Sequence, residues 1–252
     1  MKCKRYELYE DMLRQPHLLI AGATGSGKSV IINGLIYTLL IKDPADVGLI
    51  LIDPKRVELI QYKYTSSCMK YASEQEDMIR TLDWCVELME QRYKEMQRNR
   101  QRSYSGKKIY VFVDELADLL TTSKKQVLPM IQRLAQLGRA AQIHLILATQ
   151  RPTKDILSGQ LKVNLDSRVA LRVPTAVDSR NIINVAGAED LPRYGQGYYL
   201  TPETMQPVLY NIPYYNDEQL DELINYRTSY SSTLGYKLSR LFQLPKRKTS
   251  WC

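Results

Sequence analysis

Short, unbroken apolar runs recur along this chain, and longer segments with helical spacing separate them. The runs lie at 17–21, 47–52, 109–113, 143–148 and 167–173. Continuous rather than alternating apolar character marks strands covered on both faces, as in a parallel sheet. Helical patterns occupy about 29–41, 74–102, 124–141 and 178–186, and a short leading helix is predicted over 4–14. In the longest of these, Met78, Leu82, Cys85, Leu88, Met89 and Tyr93 fall on one face, a stripe that reads as core packing. Its end, Gln97 to Arg102, is polar and basic and is expected to project into a loop. Alternating strands and helices imply an α/β fold with a mostly parallel central sheet flanked by helices. After 196 the pattern changes: 198–200 and 207–212 predict a small C-terminal hairpin, and 216–226 a last helix. No internal repeat and no long linker interrupts this order.

Composition narrows the reading. With 252 residues and 44% hydrophobic content the chain can bury one sizeable core. No apolar run approaches the ~20 residues of a membrane span, and Met1 to Glu7 lack the apolar heart of a signal peptide. Cys3, Cys68, Cys85 and Cys252 are scattered, which argues against a metal cluster or disulfide framework and fits a reducing, cytoplasmic setting. The net charge is +8, but Arg227, Lys237, Arg240, Lys246, Arg247 and Lys248 supply six of it within 227–252, where no acid occurs. The expected organisation is a domain over 1–226 and a basic tail over 227–252. The tail is either a solvated end or an electrostatic aid to phosphate binding.

Three motifs carry chemistry. Gly22-Ala23-Thr24-Gly25-Ser26-Gly27-Lys28-Ser29 fits G-x-x-x-x-G-K-[ST], between an apolar strand and a helical segment. Its glycines let backbone N–H groups wrap a polyphosphate. Lys28 reaches the β- and γ-phosphates, the Ser29 hydroxyl ligates Mg²⁺, and Val30 closes the ATP-binding stretch 22–30. Second, Ile109 to Val113 run into Asp114 and Glu115, the Walker B pattern. Asp114 is expected to hold Mg²⁺ and Glu115 to act as general base toward water. Third, Leu145 to Ala148 end in Thr149-Gln150-Arg151-Pro152. There Gln150 is either a sensor of the γ-phosphate or water, or part of an ordinary strand-end turn.

Together these segments resemble the FtsK/SpoIIIE family of DNA translocases, RecA-like P-loop NTPases of the FtsK–HerA group. The resemblance covers 16 to about 212. It includes Pro16-His17-Leu18-Leu19, Asp53-Pro54-Lys55-Arg56-Val57-Glu58-Leu59, Trp84-Cys85-Val86-Glu87 and Glu90-Gln91-Arg92-Tyr93. It continues through Asp114 to Leu119, Arg133-Leu134-Ala135-Gln136, Gly138-Arg139-Ala140-Ala141, Ile143-His144-Leu145, Ala148 to Pro152, Asp178-Ser179-Arg180, Gly187-Ala188-Glu189 and Gly195-Gln196-Gly197.

The resemblance implies ATP and Mg²⁺ as cofactors, a ring-shaped homo-hexamer, and sequence-independent translocation of double-stranded DNA by phosphate contacts. It implies an arginine acting on the neighbouring subunit's nucleotide. Arg139 is the choice, with Arg168 and Arg180 as alternatives, and a plain helix-end charge is the competing reading of Arg139. It places DNA-gripping residues at Arg151, Lys162 and Arg180. Ala176 departs from the family, which commonly has a lysine there, so the second loop is expected to grip less. The chain resembles a stand-alone motor core, as in mobile elements or phages, with any membrane or segregation partner supplied separately. Alternative tasks are a conjugative coupling or phage packaging motor and, in another class, an ATP-gated protein secretion or assembly ATPase.

Overall fold

The computed structural model describes residues 7–42 and 46–229. The apolar runs become strands: β1 (His17–Ala21), β2 (Val47–Ile52), β4 (Lys108–Val113), β5 (Ile143–Thr149) and β6 (Ser167–Ala170). An additional strand, β3 (Cys68–Ala72), and the hairpin β7 (Gln196–Leu200) with β8 (Val208–Asn211) complete one eight-stranded sheet. Its order is β3-β2-β4-β5-β1-β6-β7-β8. The pairings from β3 to β6 are parallel, and β7 and β8 join antiparallel. The mostly parallel α/β expectation therefore holds.

Every residue of β1, β2 and β5 is buried, which is why these strands read as unbroken apolar runs. Helices α1 (Glu7–Arg14), α2 (Lys28–Lys42), α3 (Gln75–Arg98), α4 (Leu116–Leu137), α5 (Gly159–Asn164), α6 (Ala176–Ile183) and α7 (Asp217–Ser229) cover both faces. Successive strand residues point to opposite faces. On one face Leu19, Ile50, Val111 and Leu145 join the α3 stripe, in which Met78, Leu82, Cys85 and Met89 are buried. On the other, Leu18, Ile20 and Phe112 meet Leu35 and Ile36 of α2 with Tyr9 and Met12 of α1. The Tyr9 ring occupies the space a Cβ on Gly34 would need, and its hydroxyl donates to the Pro213 carbonyl at 2.5 Å. The leading helix is thereby fastened to α2 and to the segment after the hairpin.

Several boundaries differ from the sequence pattern. α4 starts at Leu116, not 124, and breaks at Ser123 (φ −143°, ψ 34°). The polar run Thr121 to Lys125 masks the apolar spacing of its first half. The strand predicted over 167–173 stops pairing at Ala170, ahead of Pro174. β3 is an edge strand, half-exposed and carrying Lys70, so it lacks an apolar run. The last helix passes the predicted 226 boundary to Ser229. Residues 4–6 of the leading helix and 230–252 of the basic tail lie outside the described residues.

Two buried histidines sit at the start of adjacent strands. His17 Nδ1 accepts from the Leu145 N–H at 3.1 Å, and His144 stacks on Tyr110 with ring centroids 4.7 Å apart. Burial first, then His144 and Arg139 beside His17 and Lys108 and Arg92 near His144, depress His17 to about 3 and His144 to about 4. The unfolded chain takes up these protons near pH 6.5 while the folded chain does not. Stability is therefore full above pH ~6.5 and falls as the pH drops toward 4, at up to about 1.4 kcal/mol per pH unit per histidine. Denaturant unfolding at pH 7.5 and 5 is expected to show this loss, with a smaller loss in His144→Leu. An equal loss in that variant contradicts the assignment.

Candidate active site

Because β1, β2, β4, β5 and β6 run parallel, their C-terminal ends share one edge of the sheet, where α/β proteins bind ligands. Pairing puts Ala21 of β1 opposite Thr149 of β5 and Val113 of β4 opposite Leu147 of β5. The three motifs thus meet, with β5 between the P-loop strand and the Walker B strand.

The loop 22–27 is built for close backbone approach to a ligand. Gly25 and Gly27 adopt φ of 72° and 99°, which L side chains adopt only with strain. A Cβ on Gly22 would stand 2.5 Å from Ser26 Oγ and 2.7 Å from Leu171 Cβ. The Gly22 and Ala23 N–H groups donate to the Thr149 and Arg172 carbonyls, fixing the loop on β5 and on the segment after β6. α2 begins at Lys28, so its free N–H groups and positive dipole end face the loop.

Lys28 is buried and donates to the Asp114 carbonyl at 2.6 Å and to Asp114 Oδ1 at 2.5 Å. The other oxygen, Asp114 Oδ2, is buried without a partner, as is Ser26 Oγ. Ser29 lies in the first turn of α2. A cradle of backbone donors, a buried cation, an orphaned carboxylate oxygen and a hydroxyl fit a nucleotide polyphosphate with Mg²⁺ held by Ser29 and Asp114.

Glu115 is the N-cap of α4 and is 2% exposed. Its Oε1 accepts from Thr149 Oγ1 at 2.7 Å, and its Oε2 accepts from the Gln150 N–H at 3.0 Å. Lys55 Nζ stands 3.6 Å from Oε2. The Gln150 side chain points the other way and accepts from Thr24 Oγ1 of the P-loop at 2.8 Å. Gln150 thus links the loop to the Walker B carboxylate through its two ends. Thr149 and Lys55 received no role from sequence. Lys55 lies on the loop after β2, and only the β2–β4 pairing brings it to Glu115.

The remaining candidates lie elsewhere. Arg139 is exposed on the turn between α4 and β5, at the end of β5 opposite Thr149 and roughly 20 Å from it along the strand. Arg168, the first alternative to Arg139, has its guanidinium engaged within its own subunit. It is buried, and its guanidinium donates to the Leu165, Lys162 and Ile182 carbonyls at 2.6, 2.6 and 3.2 Å. Arg151 is exposed directly after β5, and Arg180 is exposed in the last turn of α6. Lys162, in α5, is half-buried and donates to the Asn181 carbonyl at 3.4 Å, joining α5 to α6 beside Arg180. Burial, then Arg168 and Lys154, push its ammonium below the ordinary lysine range. Lys154 is thus another cation of this surface that the sequence pattern did not single out.

The family model for FtsK/SpoIIIE matches residues 3–108 and 106–154, more than half of the chain and all three motifs. The chain belongs to the FtsK/SpoIIIE family. DNA translocase FtsK 1 of Neisseria meningitidis serogroup B is 35% identical over 250 residues, which cover 86% of this chain and 31% of that protein. DNA translocase FtsK of Clostridium acetobutylicum is 37% identical over 243 residues, covering 90% and 32%. The chain spans about a third of the length of these curated relatives. Among solved structures, the conjugation coupling protein TcpA with ATPγS superposes with a TM-score of 0.74 at 24% identity, covering 84% of this chain and 65% of that one. The cytoplasmic domain of the Thermomonospora curvata type VII secretion ATPase EccC gives 0.73 at 24%, covering 84% and 28%. These two likenesses establish the P-loop ATPase fold. The family segment ends at 154, so Lys162 and Arg180 lie beyond it. Among the described residues no helix is long and apolar enough to cross a membrane.

Proposed function

We propose that this chain hydrolyses ATP at the β1–β5–β4 edge and uses the energy to translocate double-stranded DNA through a ring of identical subunits. The observation that carries the proposal is the joint placement of Lys28, Asp114, Glu115 and Gln150 around one glycine loop, in a chain 35–37% identical to DNA translocases. Lys28 clamps the phosphates, and Ser29 and Asp114 would hold a Mg²⁺ ion whose charge would offset theirs. Glu115, held by Thr149 and Gln150, takes the proton of the attacking water. Arg139 sits at the far end of β5 from its own P-loop, so it serves a neighbour's nucleotide and not its own. That division of labour requires an oligomer, and a ring of six is the family's arrangement. The task is chromosome or element DNA transport, or a coupling or packaging variant of it. The fold likeness to EccC keeps a protein-moving ATPase as the rival reading.

The grip separates the two. Arg151, Lys162 and Arg180 are assigned to backbone phosphates, which carry no sequence information. Lys162 retains two ammonium hydrogens beyond the one given to Asn181. Substituting Arg151→Ala, Lys162→Met and Arg180→Ala together is expected to weaken binding to unrelated duplexes alike. The slope of log affinity against log salt is expected to flatten by about 0.9 per lost contact. Unchanged affinity and slope, in a variant that still hydrolyses ATP, move the protein-moving reading ahead.

A further inference from the structure

An apolar cavity of about 340 Å³ opens beside the P-loop, bordered by Ser26, Gly27, Val30, Tyr194, Ile212 and Tyr214. It shares Ser26 with the phosphate cradle, so it continues the nucleotide site along the start of α2. Tyr194 and Tyr214 are 62% and 66% exposed. The residue before Tyr194 completes the arrangement. The Arg193 guanidinium lies over the Tyr194 ring at 5.3 Å, and its Nη2 is 3.1 Å from where a Cβ on Gly25 would stand. Arg193 also borders a second cavity, of about 220 Å³, that is lined by Thr24, Ser26, Arg172 and Glu189 among others.

We infer that Tyr194 and Tyr214 form the base-stacking wall of the nucleotide site, and that Arg193 adds a phosphate contact from the same subunit. The inference rests on the reading of the P-loop as an ATP site and adds the part of the ligand that the loop does not touch. A cavity of this volume takes a nucleoside, and its continuity with the phosphate cradle makes a nucleotide base the occupant. The walls also define selectivity. The side-chain polar groups on them are the Ser26 hydroxyl, buried and without a partner, and the two phenols. The Gly195 carbonyl already accepts from the Ile212 N–H at 2.8 Å. No amide or carboxylate side chain lies there to read a base edge. Stacking tolerates any base with a π-face, so the site accepts adenine and guanine nucleotides alike.

Calorimetric titration of the whole chain with ADP, GDP and inorganic tripolyphosphate tests this. ADP and GDP are expected to bind within about threefold of each other, since stacking alone distinguishes purines weakly. Tyr194→Ala with Tyr214→Ala is expected to weaken both nucleotides by about tenfold or more and to leave tripolyphosphate unchanged. Tyr194→Phe with Tyr214→Phe, which keeps the rings, is expected to retain parent affinity. Arg193→Ala is expected to weaken tripolyphosphate. Both rings are largely exposed, so the alanine variant leaves the core intact. Parent ADP affinity in the alanine variant, or strong preference for ADP over GDP, overturns the inference while tripolyphosphate binding leaves the P-loop reading standing. A parent chain that binds neither nucleotide nor tripolyphosphate overturns both.

Discussion

Lys28→Ala is expected to abolish ATP hydrolysis, with a loss of about a hundredfold to a thousandfold or more, as when one preorganised charge-stabilising group is removed. Two physical effects act together. The phosphates lose the cation that screens their charge as the γ-phosphoryl transfers. Asp114, 1% exposed, also loses the ammonium bonded to its Oδ1. Removing one partner of a buried pair typically costs about 3–5 kcal/mol, so a lower melting temperature is expected alongside the lost turnover. The same variant tests the neighbour-acting arginine. Lys28→Ala and Arg139→Ala protomers are each expected to be inactive alone. In the proposed ring, mixing the two is expected to create interfaces with one intact P-loop and one intact Arg139, and there steady-state assays are expected to recover part of the parent rate. No recovery in rings proven to be mixed counts against Arg139.

Glu115→Gln is expected to bind ATP with parent affinity and to hydrolyse it about a hundredfold to ten-thousandfold more slowly, the range for removing a general base. The local fold is expected to survive. With its oxygen at the Oε1 position, the amide introduced by the substitution can still accept from Thr149 Oγ1 at 2.7 Å and from the Gln150 N–H at 3.1 Å. What disappears is the proton acceptor and the charge opposite Lys55. Single-turnover hydrolysis with filter-binding of ATP separates the two steps. Parent turnover in this variant refutes the assignment of Glu115 as base.

The chemistry of this site was legible wherever it is contiguous in the chain. The glycine loop with Lys28 and Ser29, and the strand ending in Asp114 and Glu115, each declare themselves within eight residues. The partners of Glu115 were not legible. Lys55 precedes it by sixty residues and Thr149 follows by thirty-four, and both meet it only because β2, β4 and β5 are neighbours. Arg168 shows the converse. The family resemblance offered it as an alternative to Arg139, and nothing in the sequence showed that packing would set its guanidinium on three carbonyls. The fully buried strands could be read from their apolar runs, whereas β3 could not, because an edge strand needs apolar cover on fewer sides. The first half of α4 was hidden for a different reason: the polar run Thr121 to Lys125 separates Leu116, Leu119 and Leu120 from the apolar spacing that resumes at Val127.

The most direct test of the central claim is the steady-state ATPase rate of the parent chain with duplex DNA, with single-stranded DNA and with none. A DNA motor couples hydrolysis to its track, so duplexes of unrelated sequence are expected to raise the rate several-fold and equally, and single strands less. One rate under all three conditions, in protein shown to oligomerise and bind ATP, contradicts the account.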